Sequence, residues 1–166
     1  IAITLSKWLL NLLQAPYNRK QWLLAPQTVT AYYNPAAHQI IVPYGIVQAP
    51  FFKAEQPSYL NLATLGMVIG HEIGHALDTD GVEMNQDGVR DQWLPEADKT
   101  VFTQKTQQLT QFFNQFEVDG ELTLSENISD LFGLSLAFKA AFPEGAAAPA
   151  ASGRLSEQQK FFIQYA

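Results

Sequence analysis

At 166 residues, 47% hydrophobic and 16% charged, the chain is long enough for one domain, or one lobe of a larger one, with a real core, and too apolar for a disordered segment. A net charge of −6 makes it a poor partner for nucleic acid, whose phosphates demand cations. With no cysteine, disulfides, thiolate metal sites and cysteine nucleophiles are excluded, so any metal must be held by His, Asp or Glu.

No signal peptide is visible after Ile1, and no stretch is apolar and long enough to span a membrane, so membrane contact by this segment is not expected. The first helix is predicted from Thr4 to Gln14, stopped by Pro16. Thr28–Tyr33, rich in β-branched and aromatic residues, predicts a strand. Asn34-Pro35 predicts a turn, and His38–Val42 a second strand ended by Pro43, so the two runs form a hairpin. His38 has no partner nearby in sequence and reads as a strand or turn residue. Gly45–Pro57, with two prolines and Phe51-Phe52, reads as a packed loop. A helix from Ser58 or Asn61 to Leu77 follows, closed by Asp78-Thr79-Asp80-Gly81, with a further turn at 85–88. Pro95 fits the first turn of a helix running to about Phe116, and Asp119-Gly120 breaks the chain. Another helix runs to Phe142 from Glu121, or from just after Ser125. Pro143–Gly153 reads as an exposed loop, and Ser156 with Gln159 as the capping box of a last helix.

The chemistry concentrates in His71-Glu72-Ile73-Gly74-His75. On a helix, residues i and i+4 share a face, so both imidazoles can reach one metal ion. Glu72, beside the first ligand, then stands next to the metal-bound water as its general base. A catalytic zinc needs a third protein ligand. Ser125-Glu126-Asn127-Ile128-Ser129-Asp130 offers Glu126 for that role, with Asp130 one turn on to accept the free N–H of a ligand histidine. Asp78, three residues past His75, could serve the other histidine in the same way. Each residue also has a plainer reading. The histidines could be solvated on a surface helix, Glu126 an acid favoured by a helix N-terminus, and Asp78 and Asp130 ordinary helix-end residues. The apolar flanks Met67-Val68-Ile69 and Ala76-Leu77 favour metal, because polar groups set in an apolar helix are costly unless paired. Gly66, Gly70 and Gly74 fall every four residues on one stripe, at about 1 kcal/mol each relative to Ala. Three together predict that another element, the helix carrying Glu126, approaches this one very closely. The 78–88 spacing does not fit a calcium loop, and flanking polar residues argue against a membrane role for Gly66-x-x-x-Gly70.

A Glu ligand from a second helix is the gluzincin arrangement of thermolysin-like enzymes. The surrounding strings resemble the neprilysin family, peptidase family M13, which takes in endothelin-converting enzymes and bacterial oligopeptidases. They are 29–33 (Val-Thr-Ala-Tyr-Tyr), 39–43 (Gln-Ile-Ile-Val-Pro), Gly45-Ile46, Pro50-Phe51-Phe52, 66–73 (Gly-Met-Val-Ile-Gly-His-Glu-Ile), Asp87-Gly88 and 126–130 (Glu-Asn-Ile-Ser-Asp). The resemblance implies an α+β, predominantly helical zincin core with a short hairpin or edge strand and two zinc-binding helices. It implies one Zn2+ bound by His71, His75 and Glu126, with Glu72 as base and Asp130 and Asp78 orienting the histidines. It also implies peptide substrates cleaved on the amino side of hydrophobic residues. In the family an Asn-Ala pair binds the substrate backbone; here Thr30-Ala31 stands in its place, with a shorter, non-amide side chain. The family also uses a later His and Arg at the oxyanion, yet this chain has only His38, His71 and His75, and Arg154 lies in the wrong context. Residues 1–166 are therefore expected to be a single fragment of a catalytic domain, without the family's large helical domain and C-terminal portion, other parts of the same polypeptide completing the site. The absence of cysteine fits a bacterial-type member, and the resemblance implies a periplasmic, cell-envelope or extracellular location, with the cytoplasm as the alternative. Two rivals to an active peptidase stand: a zinc-binding fragment with little turnover, and an interaction domain without metal.

Overall fold

The structure is a computed structural model, and it describes Ser6, Lys7, Leu10, Asn11, Lys20 and residues 22–144 and 154–166. The predicted helix Thr4–Gln14 lies largely outside the described residues; Ser6, Lys7, Leu10 and Asn11 from it are helical. The predicted loop Pro143–Gly153 likewise lies outside them beyond residue 144.

The hairpin forms as predicted but is shorter. Strand β1 (Tyr32–Asn34) pairs antiparallel with β2 (Gln39–Ile41), Tyr33 opposite Ile40. The first strand starts late because Thr28 N–H closes a turn onto the Ala25 carbonyl while Gly45 N–H takes the Pro26 carbonyl, so these groups are not free for a ladder. His38 is a turn residue at φ 46°, outside β2, and it is not without a neighbour in sequence: its Nδ1 lies 2.6 Å from the Tyr33 hydroxyl. Its Nε2 reaches the Asn85 carbonyl at 2.5 Å. A carbonyl only accepts, so Nε2 carries the proton and Tyr33 donates to Nδ1. The hairpin is thereby tied to the 85–88 turn.

The long helix predicted up to Leu77 is built in three pieces: α1 (Ser58–Asn61), a π-helical segment Leu62–Gly66, and α2 (Met67–Gly74). Regular helix stops at Gly74, but His75 N–H still bonds the His71 carbonyl at 3.1 Å, so the one-turn spacing of the two histidines survives. The third helix, α3 (Glu96–Phe113), starts after Pro95 and tightens into a 3-10 turn at Asn114–Phe116. Next comes α4 (Leu124–Ala141), which places Glu126 in its first turn. The last, α5 (Glu157–Tyr165), carries the predicted capping box, with Ser156 and Gln159 bonding reciprocally.

The core lies between the 58–74 helical run, α4 and α5. Ala63, Met67, Ala137 and Phe161 are buried there, with Leu134, Phe138 and Phe142 packed against them. Helices α2 and α4 meet almost backbone to backbone. A Cβ on Gly70 would stand 2.8 Å from Gly133 Cα, and one on Gly74 2.8 Å from Ser129 Cα. Gly66 corrects the predicted stripe: its Cβ would meet only its own helix, at Leu62 Cδ2, 3.0 Å away. The matching surface on α4 is itself a run of small residues at every fourth position, Ser125, Ser129, Gly133 and Ala137. Gly133→Ala would push a methyl to 2.5 Å from His71 N and 2.8 Å from the Met67 carbonyl. Those are backbone atoms, so the helices must part. We expect a loss of about 1–3 kcal/mol by urea denaturation despite the better helix propensity of Ala. Gly66→Ala meets a flexible side chain and is expected to be near neutral.

Candidate metal centre

The tight α2–α4 crossing brings together the residues singled out in the sequence. His71 Nε2 lies 3.3 Å from Glu126 Oε2, and His75 Nε2 3.8 Å from the same oxygen. One ligand atom from each of the three lies within 4.8 Å of the others. A tetrahedral zinc with bonds of about 2.0–2.1 Å separates its ligand atoms by about 3.3 Å, so this spacing fits a zinc ion with little adjustment. Glu126 is exposed, whereas the imidazoles are mostly covered.

Each imidazole presents its Nε2 because its Nδ1 is engaged by a carboxylate. His71 Nδ1–H donates to Asp130 Oδ1 at 2.8 Å, and His75 Nδ1–H to Asp78 Oδ2 at 2.7 Å. This leaves an Nε2 lone pair free for a metal, the arrangement that outer carboxylates give to zinc-binding histidines. The Asp130 hydrogen bond raises the His71 pKa against burial and the neighbouring His75, and the Asp78 hydrogen bond raises that of His75. Burial alone would push the Asp78 carboxyl up, but the hydrogen bonds from His75, Ser125, Gly81 and Asp80 outweigh it and hold it below the usual carboxylate range.

Glu72 lies in the same cleft and against β1. It is buried at 7% exposure, and burial raises its pKa. The Tyr33 backbone N–H donates to its carboxylate. Glu72, His71, His75 and Glu126 line one open cleft of about 450 Å³, closed on one side by Ala31, Tyr32 and Tyr33. Thr30 is not among the lining residues; its hydroxyl donates to the Ala31 carbonyl at 3.0 Å. Ala31 is therefore at the cleft and Thr30 beside it. A larger cleft of about 630 Å³, between Thr79 and the start of α3, holds none of the candidate residues.

Three contributors escaped the sequence reading. The Tyr33 main-chain donor carries no sequence signal at all. Ser125 and Ser129 had one, the four-residue spacing of small side chains next to the Glu126/Asp130 pair.

The raised histidines set a pH dependence. In the metal-free protein both folded pKa values exceed the ordinary value of about 6.5, so the folded state holds more protons than the unfolded one. Their stabilising contribution is complete below about 6.5 and is lost as pH rises through the raised folded values. Thermal unfolding without metal is expected to show Tm falling as pH rises through the neutral range. With zinc bound the ligands must be deprotonated, so the sign reverses and Tm rises with pH. The same sign in both states would contradict ligation by these imidazoles.

Comparison with known proteins points the same way as the geometry. The profile of peptidase family M13 matches residues 30–166. A protein named as a zinc metalloproteinase of the scaA 5′ region in Streptococcus gordonii is 40% identical over 152 residues, covering 87% of this chain and 26% of its own length. Endothelin-converting enzyme 1 of Rattus norvegicus is 41% identical over 135 residues, 78% of this chain and 18% of its own. Among solved structures, the Mycobacterium tuberculosis zinc metalloprotease Zmp1 in complex with an inhibitor superposes with a TM-score of 0.84 at 34% identity. That match covers 96% of this chain and 26% of Zmp1. The chain thus spans about a quarter or less of the length of these relatives.

Proposed function

We infer the function from one premise: the chain belongs to peptidase family M13. On that premise it is the zinc-bearing part of an endopeptidase that hydrolyses peptide bonds of oligopeptides. The observation that carries this reading is the convergence of His71 Nε2, His75 Nε2 and Glu126 Oε2 at zinc-ligand spacing, with both Nδ1 atoms held by carboxylates.

His71, His75 and Glu126 would hold one zinc ion. When bound, zinc supplies Lewis acidity, drawing the pKa of its water toward about 7 and polarising the scissile carbonyl. Asp130 and Asp78 keep the proton of each imidazole on Nδ1. Glu72 takes a proton from the attacking water and returns it to the leaving amine. Burial suits Glu72 to this, because a raised carboxyl pKa makes it a stronger base, while Tyr33 N–H fixes its orientation. Among the described residues β1 pairs only with β2, and its Tyr33 N–H is taken by Glu72, so an extended peptide would be held by main-chain hydrogen bonds at Ala31 and Tyr32, which line the cleft. Cleavage on the amino side of hydrophobic residues follows from the family resemblance alone.

The test uses the full-length protein and an internally quenched peptide with a hydrophobic residue after the scissile bond. Elemental analysis should give about one zinc per chain, and a chelator should abolish hydrolysis until zinc is restored. Hydrolysis untouched by chelation, or no zinc uptake at all, would overturn the reading.

A further inference from the structure

Two serines of α4 contact the His75–Asp78 pair of the candidate metal centre. Ser125 Oγ donates to Asp78 Oδ2 at 2.5 Å, the same oxygen that accepts His75 Nδ1–H at 2.7 Å. Asp78 Oδ1 accepts the backbone N–H groups of Asp80 at 2.9 Å and Gly81 at 2.7 Å. A carboxylate has about four acceptor sites, so these four bonds saturate it. Asp78 is 2% exposed, so it depends on these donors rather than on solvent. Ser129, fully buried, sets its Oγ 3.1 Å from His75 Nδ1. The Nδ1 proton goes to the nearer Asp78, so Ser129 is a second, longer acceptor on the same N–H.

The two histidines are tied to α4 by different means. His71 is held directly, because its carboxylate partner Asp130 belongs to α4. Asp78 belongs to the same short segment as His75 and gives no such tie by itself. Its other two partners, Asp80 and Gly81, are also local. Among the described residues, the only hydrogen bonds of this pair that cross to the helix carrying Glu126 are those with Ser125 and Ser129. Ser125 is also the residue immediately before Glu126.

We propose that Ser125 and Ser129 are positioning residues for His75, linking its imidazole, through Asp78 and directly, to the helix that supplies Glu126, and so fixing the spacing of the ligands. The proposal rests on the zinc reading above. Ser125→Ala removes the cross-helix donor and leaves a buried carboxylate one bond short. Zinc affinity, measured by competition with a chromophoric chelator on the full-length protein, is expected to fall about 10-fold, the lower end of what outer partners of a metal ligand contribute. Ser129→Ala removes the longer contact and is expected to cost less than Ser125→Ala, though more than twofold. Ser125→Thr keeps the hydroxyl and should recover most of the affinity. In an Asp78→Asn background Ser125→Ala should cost much less, since the acceptor it serves is already altered. The His75 Nδ1–H signal in nitrogen-correlated NMR should exchange faster in both Ala variants, with His71 unchanged, which a general loss of stability would not produce.

Zinc affinity within twofold of the parent in both Ala variants would overturn the proposal, as would an equal loss from Ser125→Ala with and without Asp78. A parent that binds zinc but hydrolyses nothing would sink the peptidase reading while these affinities still decide the role of the serines. A parent that takes up no zinc would sink both.

Discussion

Glu72→Gln is expected to lower kcat/KM by about 10²–10⁴-fold, the range that a positioned acid–base group contributes, with zinc content unchanged. The substitution is nearly isosteric. The amide oxygen of Gln can still accept the Tyr33 N–H, so the side chain should keep its place against β1. It lies outside the group of three that could ligate the metal, so affinity for zinc should hold. What disappears is proton capacity: an amide cannot take a proton from the attacking water or pass one to the leaving amine. The loss should therefore fall on kcat, with KM close to the parent value. Stability gives a second readout. Burial disfavours the Glu72 carboxylate, so the metal-free Gln variant should be at least as stable as the parent at neutral pH. Retained turnover would remove Glu72 from the role of base. Lost zinc would mean that it helps hold the metal.

The parts of this centre that could be read from the sequence are those carried by helix periodicity. His71 and His75 are one turn apart, as are Glu126 and Asp130, and the structure brings the two pairs onto facing helices. Asp78 was found by its nearness to His75, and the hydrogen bond is there. The start of β1 was misplaced because β propensity marks residues suited to a strand, not which of them find a partner. Thr28 and Gly45 are engaged in turns that propensity cannot see. The glycine stripe reads as three residues while the crossing uses Gly70 and Gly74, because four residues overshoot a 3.6-residue turn and a four-residue stripe drifts around the helix. Gly133 carries the other half of the signal, because contact between backbones needs small residues on both helices.

His75→Ala and His71→Ala should differ in kind although each removes one proposed ligand. Both should weaken zinc binding by more than the roughly 10–100-fold that loss of an outer partner costs. The difference lies in the metal-free protein. His75 donates to Asp78, which is 2% exposed and has every acceptor site filled. Removing the imidazole leaves that carboxylate charged, buried and one donor short, at a cost of about 1–3 kcal/mol. His71 donates to Asp130, whose side chain is 50% exposed, so water can take over the lost bond and the cost should be distinctly smaller. Urea midpoints of the two metal-free variants read this directly, with His75→Ala the lower. A zinc titration then separates fold from ligation: excess zinc should restore stability to neither variant as it does to the parent. If the two metal-free variants unfold at the same midpoint, the saturated Asp78 carboxylate does not depend on His75. The α2–α4 crossing would then hold that side of the centre by packing alone.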